Sequence, residues 1–333
     1  MFNSPSLKCS CISAVVSSLF LLPVANAATI DQIINPASTV GWNDGAVWGS
    51  IPTAGNSYRS VSGFAPVSPV YTVNGMTWSH SGSVRDVNDS TTTRGLSSTF
   101  LGDNILLSAE TRLLGKGTGG STQTVNLVFD GGFYHQAPSP PPAGTDPSST
   151  LAGTVSFGSS NIGALGMNAG SNGLFTWTIT SSVFGGPGDT LQLIIGNDAS
   201  RLNFLIFSGD LSGFSGTLYM GVSDAMTAPG SSFSLTSDAL NATVQLDYTT
   251  PNFLFDLGSD NITVGALSLG SGTGTLVAGN MVYDATMLND LAGGSFFTGT
   301  GTITVVPEPG TLALGAVGLL VTVSLLRHRR RNA

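Results

Sequence analysis

Residues Arg201–Gly221 read "RLNFLIFSGDLSGFSGTLYMG". Two short runs, "RLNFLIF" and "GTLYMG", alternate apolar and polar side chains, and a Gly-Ser turn, "SGDLSGFSG", joins them. Alternation at period two, bounded by Gly, Ser, Asn or Asp, marks β-strands with one buried face. The same unit recurs on both sides. "TVNLVFD" sets Val125, Leu127 and Phe129 on one face, and "LFTWTIT" does so with Phe175, Trp177 and Ile179. "SFSLTS", "ATVQLDY", "NFLFDL" and "ITVGALSLG" follow downstream. From Leu191 to Val282 the apolar strand cores recur about every 9 to 15 residues. No helix-period stretch longer than about three turns interrupts Ala28–Val306.

Such spacing suits either an antiparallel β-sandwich or a coiled β-solenoid. Two features favour the solenoid. The connections are Gly-Ser turns of uneven length rather than the Asn-Gly or Asp-Gly pairs of hairpins. The apolar positions also continue without a break, as stacked coils on one core require. One stretch departs from the pattern: "HQAPSPPPAGTDPSSTLAG", His135–Gly153, carries five prolines between Pro138 and Pro147. Proline removes backbone donors, so no central strand runs there. Residues 137–149 are either a loop between coils or a linker between domains.

Composition supports strands and turns. Only 9% of residues are charged while 44 are glycine, which disfavours long Glu/Lys-rich helices. An apolar fraction of 41% is ample for a packed core and excludes general disorder. Between the two ends of the chain, six basic residues face eighteen acidic ones. That imbalance repels phosphate backbones and excludes nucleic acid as a partner.

The first 27 residues read as a secretory signal peptide. Lys8 supplies the positive region, "CISAVVSSLFLLPV" the apolar region, and Ala25 and Ala27 the small residues that signal peptidase needs. Cys9 and Cys11 leave with this leader, so the exported chain, starting at Ala28, has no disulfide, thiol nucleophile or Cys-based metal site.

Catalytic patterns are sparse. His80 and His135 lack H-x-x-x-H spacing, and no G-x-S-x-G elbow accompanies the plentiful Ser and Asp. A polysaccharide lyase would draw on Lys116, Arg59, Arg85, Arg94, Arg112 or Arg201. A glycosidase needs two carboxylates across one groove. Glu110 and the aspartates at 189, 198, 210, 247, 256, 260, 284 and 290 are the candidates, but most lie in turns that Asp itself stabilises. "DVND", Asp86–Asp89, and "GSDN" match no calcium-loop pattern. The expectation is no enzyme, no metal and no cofactor. A sugar-binding surface has its own candidates, Trp42, Trp48, Trp78, Tyr58 and Tyr71, against which stands the reading that Trp42 and Trp48 cap the first coil. Asn88, Asn241 and Asn261 match the N-glycosylation acceptor, a reading that presumes a eukaryotic secretory route.

Longer stretches carry a resemblance. "GWNDGAVWGSIPTAGNSYRSVSG", Gly41–Gly63, resembles the opening of bacterial exported β-helix proteins. "FSGDLSGFSGTLYMG" and "FDLGSDNITVGALSLGSGTGTL" resemble autotransporter-associated β-strand repeats of surface passenger domains. The resemblance implies a right-handed parallel β-helix, and no particular activity. The expected fold is therefore an all-β right-handed parallel β-helix over 28–306, with a C-terminal transmembrane helix and the β-sandwich as alternative.

The chain closes on "VVPEPGTLALGAVGLLVTVSLLRHRRRNA", Val305–Ala333. Thr311–Leu326 is uncharged and as a helix would span about 24 Å, short of a hydrocarbon core of about 30 Å. Arg327, Arg329, Arg330 and Arg331 would stay on the cytoplasmic side. A plain anchor does not need Pro307, Glu308 and Pro309. Those three, a short apolar run and a terminal Arg cluster together resemble the PEP-CTERM sorting signal of Gram-negative bacteria, over 307–333. The missing L-P-x-T-G excludes a sortase anchor, and the basic end disfavours a GPI signal. This resemblance implies processing by exosortase, a membrane protease, at least transient membrane attachment, and association with exopolysaccharide at the cell surface or in the matrix. The expected role is structural or adhesive, with a polysaccharide-active β-helix enzyme or a carbohydrate-binding module as alternatives.

Overall fold

The computed structural model describes residues 28–34, 40–62, 71–78, 84–87, 94–137, 147–168, 173–196, 201–223, 230–250 and 252–306. They form an all-β solenoid of about seven turns with about 5% helix. The coils build two sheets, of 12 and 11 strands. Ser121–Asp130, Ser148–Phe157, Gly173–Ile179 and Arg201–Phe207 are successive members of the first sheet. Phe133–Gln136, Ile162–Met167, Thr190–Ile195 and Thr217–Val222 are successive members of the second. The strands on either side of the Pro-rich stretch belong to these same two sheets.

Pairing along both sheets is parallel, which excludes the sandwich alternative. Among the described residues, antiparallel ladders are confined to three short pairs. The coil is 28 residues long through the middle of the body, the separation between Asn203 N–H and the Ser231 Oγ it donates to. Leu151, Ile179, Phe207 and Leu235 therefore stack as one buried inward column, and Leu127, Val155 and Val183 as another. Burying each such side chain contributes about 1.5–3 kcal/mol. The shorter recurrence in the sequence is half a coil, because each coil contains two strands and two turns. Hydroxyls tie the stack on its outer side: Thr180, Ser208 and Thr236 each donate to a carbonyl of the preceding coil, at 3.2 to 3.5 Å.

A solenoid exposes its core at each end unless it is capped. At the N-terminal end Asp44 caps the short helix Gly45–Trp48 by accepting from Ala46 N–H. The helix carries Trp48 against Tyr58, with ring centroids 5.2 Å apart. Phe100 meets Tyr58 edge-on at 5.3 Å and Trp42 at 5.9 Å. Both indoles are satisfied, Trp48 by the Trp42 carbonyl at 2.7 Å and Trp42 by Ser98 Oγ at 2.9 Å.

One hairpin runs against the sequence-based expectation of uneven turns. Tyr71–Val73 and Met76–Trp78 pair antiparallel through Asn74-Gly75, both at positive φ (51° and 71°), as a two-residue hairpin turn requires. The hairpin covers the outer face of the second sheet, packing Tyr71, Val73 and Trp78 on Phe133, Ala164, Ile194 and Tyr219. Both faces of those strands are thus buried.

Candidate functional site: the C-terminal sorting end

The last coil is enlarged. Thr302 Oγ1 donates to Asn261 Oδ1 across 41 residues instead of 28, and the extra chain forms a cap. Thr302–Val305 lies between Asn261–Leu269, parallel, and Met281–Tyr283, antiparallel. Asp284 then caps the helix Ala285–Ala292, accepting from Met287 N–H at 2.8 Å, and Gly293 ends it at φ 70°. Leu288 anchors the helix in the core. Asn289 completes the cap: its amide oxygen accepts from Phe296 and Phe297 N–H and its nitrogen donates to the Phe297 carbonyl, all within 2.9 Å.

A cavity of about 550 Å³ opens in this cap, bounded by Leu269, Leu276, Met281, Tyr283, Met287 and Leu291, with Tyr248 and Asp290 at its wall. Beside it lies the last described strand, Thr302–Val305. Asn280 N–H donates to the Val305 carbonyl at 2.7 Å, and Val306 N–H donates to the Val264 carbonyl at 3.0 Å. The next residue is Pro307, which has no N–H to extend the ladder. In the sequence the Pro-Glu-Pro motif therefore follows directly on Val306, the last residue seen bonded to the solenoid. Pro307, Glu308, Pro309, the apolar run and Arg327, Arg329, Arg330 and Arg331 lie outside the described residues, as do Ala25 and Ala27 of the leader. No helix among the described residues is long and apolar enough to cross a membrane.

The other candidates scatter through the body. Trp42, Trp48, Trp78, Tyr58 and Tyr71 are all buried, Trp78 the most exposed of them at 5%, so none presents a ring face to a sugar. Capping explains Trp42 and Trp48, and the hairpin explains Tyr71 and Trp78. Asp189, Asp210, Asp247, Asp256 and Asp284 each accept a backbone N–H two or three residues away, holding their own turns. Glu110 sits in a turn at φ 61°. Among the cations, Arg59 pairs with Asp31 at 2.8 Å and Lys116 donates to the Ala137 carbonyl. His80, Asn88, Asp89 and Asp198 fall outside the described residues, and among those described no three His, Cys, Asp or Glu converge as a metal site requires.

Sequence reasoning missed a polar cluster buried beneath and beside the hairpin. Tyr71 Oη lies 2.6 Å from His135 Nε2, and Arg112 Nη1 lies 3.3 Å from His135 Nδ1. Burial pulls the Arg112 guanidinium down to about 10 and pushes the Tyr71 phenol up. Asp86, 1% exposed, accepts from Val87 N–H, Lys116 N–H, Gly117 N–H and Tyr134 Oη. The Asn74-Gly75 pair was the available signal for the hairpin. Nothing local in the sequence marks Asp86 as buried.

Burial pushes the Asp86 carboxyl up to about 6 from 3.8, against the opposing hydrogen bonds. A raised acid binds its proton more readily in the folded state. Its contribution to stability is therefore full below about pH 4 and is lost as pH rises through about 6, a swing on the order of 3 kcal/mol. Asp31 and Asp130, held low by hydrogen bonds from Arg59 and from Ser160, act in the opposite sense at lower pH. Urea unfolding at pH 4.5 and pH 7 should show Asp86→Asn losing the wild-type gain on acidification. An unchanged pH difference in the variant would refute this assignment.

Residues 305–331 match the family described as the PEP-CTERM protein-sorting motif. No curated protein and no solved structure matches the chain, and nothing in these comparisons carries the likeness to autotransporter-associated repeats. The match covers the strand end Val305 together with the motif and tail, and it marks the chain as an exported protein sorted through exosortase.

Proposed function

We propose that this chain is a non-enzymatic structural or adhesive protein of the cell surface or extracellular matrix of a Gram-negative bacterium. Its precursor is held in the membrane by Thr311–Leu326 and processed by exosortase at the Pro-Glu-Pro motif. The observation that carries this reading is the junction at Val306, where the last strand passes directly into the sorting motif. The solenoid is taken as right-handed, the usual sense of parallel crossover connections. The acidic turns support the non-enzymatic reading, since their carboxylates are occupied in holding backbone. Association with exopolysaccharide is supported by the outer face of the first sheet, where Thr122, Thr150 and Thr178 stand in one partly exposed row. A neutral, hydroxyl-rich face offers donors and acceptors to a polyhydroxylated partner without ionic competition.

Mass spectrometry of the protein from cells with and without exosortase tests the reading. The wild-type strain should yield a C-terminus lacking Arg327–Arg331, recovered outside the membrane fraction. The deletion strain should retain the full tail in the membrane. An intact tail in both strains would leave a plain anchor and overturn exosortase sorting.

A further inference from the structure

The junction at Val306 also limits how far the folded body can stand from a membrane. On the reading that Thr311–Leu326 spans the bilayer, the tether is Pro307–Gly310, four residues reaching at most about 14 Å. The headgroup layer itself is about 5–8 Å thick on each side. The apolar run is shorter than the hydrocarbon core, so flanking residues are drawn inward or the bilayer thins around it. Either adjustment brings the body closer.

The part of the body at that exit is the apolar cap. Met281 pairs with Val305 itself, and Leu276, Met281 and Leu291 border one cavity. Leu276 is 68% exposed, Leu291 55% and Met281 41%. Clustered apolar exposure of this kind marks an interaction surface. Its charge complement is one-sided: Asp284 and Asp290 flank it, and no Lys or Arg occurs between 202 and 306. The face has no electrostatic attraction for anionic lipid and fits a neutral interface.

We propose that the C-terminal cap is a lipid-contacting face, seated through Leu276, Met281 and Leu291 in the headgroup layer while the precursor is anchored. The contact holds the solenoid upright on its last coil, with the Pro-Glu-Pro motif at the membrane surface where a membrane-embedded protease works. Interfacial apolar faces elsewhere settle about 5–10 Å into this boundary, a depth the short tether permits.

The exported chain, Ala28–Ala333, contains no cysteine, so single labels are clean reporters. Leu276→Cys, Leu291→Cys, Ile51→Cys and Val317→Cys each receive an environment-sensitive fluorophore and are reconstituted into phosphatidylcholine vesicles containing nitroxide-labelled lipid. Ile51, at the opposite cap, is 62% exposed and serves as the remote control. The expected result is loss of fluorescence at Val317, Leu276 and Leu291, with Ile51 unquenched. Quenching at Val317 alone would overturn the lipid-contacting cap while leaving the membrane-spanning tail intact. No quenching at Val317 would overturn the spanning tail, and the cap contact would fall with it.

Discussion

Replacing Trp177 by alanine is expected to cost about 3–5 kcal/mol of folding stability. Trp177 is 1% exposed, in the strand Gly173–Ile179, with Ser149 and Leu205 at the same position in the coils on either side. Its indole stacks on Tyr134 of the second sheet at 5.6 Å, with the planes within 16°. It therefore bridges both sheets, and truncation leaves a void that the hydrogen-bonded coils cannot close. The ring stack adds about 1 kcal/mol beyond burial. Trp177→Phe, which keeps an apolar ring, should lose less than half as much. Because the strands of these middle coils pair with those of the adjacent coils, the damage should concentrate there and broaden the denaturation transition. Denaturant unfolding followed by circular dichroism measures both effects. A midpoint within error of wild type would contradict the bridging role.

Gly153→Ala should be comparably damaging, on the order of 4 kcal/mol, from one added methyl group. Gly153 lies within Ser148–Phe157 at φ 109°, a region that side chains other than hydrogen rarely adopt. A Cβ there would fall 2.1 Å from the Val125 carbonyl oxygen and 2.7 Å from its carbon. Those atoms belong to the backbone of the preceding coil, which is held at ladder distance along Ser149–Phe157. No rotamer relieves the clash. Gly153 also marks a break in the ladder: up to Leu151 the strand pairs with Gly173–Ile179, and beyond it with Ser182–Val183. Gly188→Ala, at a position with no atom within 4 Å of the added carbon, is the control and should unfold with wild type. Equal midpoints for the two variants would show that the coils can separate locally.

The strand identities were legible because the first sheet keeps one face wet. Phe175, Trp177 and Ile179 are buried and Thr176 and Thr178 half-exposed, so alternation survives in the sequence. Under the hairpin the second sheet is covered on both sides, and "TLQLII" carries Leu191 and Leu193 inward while Ile194 packs under the hairpin. A run apolar on both faces has no alternation to read. The hairpin's own signal, Asn74-Gly75, is two residues long and stands among Gly-rich turns of every kind. Trp42 and Trp48 were ambiguous for a different reason. An aromatic side chain that caps a solenoid and one that stacks on a sugar have the same composition, and only burial separates them.

Composition, alternation and the ordered Pro307-Glu308-Pro309, apolar and arginine segments determined an all-β coiled body and its sorting address. These are local signals, written within a strand's length or within one terminal segment. Tertiary structure alone decided the 28-residue coil, the burial of Asp86, and the placement of Leu276, Met281 and Leu291 around the exit at Val306. Each of these depends on which residues far apart in the chain share a coil, and that depends on how many residues each turn consumes before the next strand finds its register.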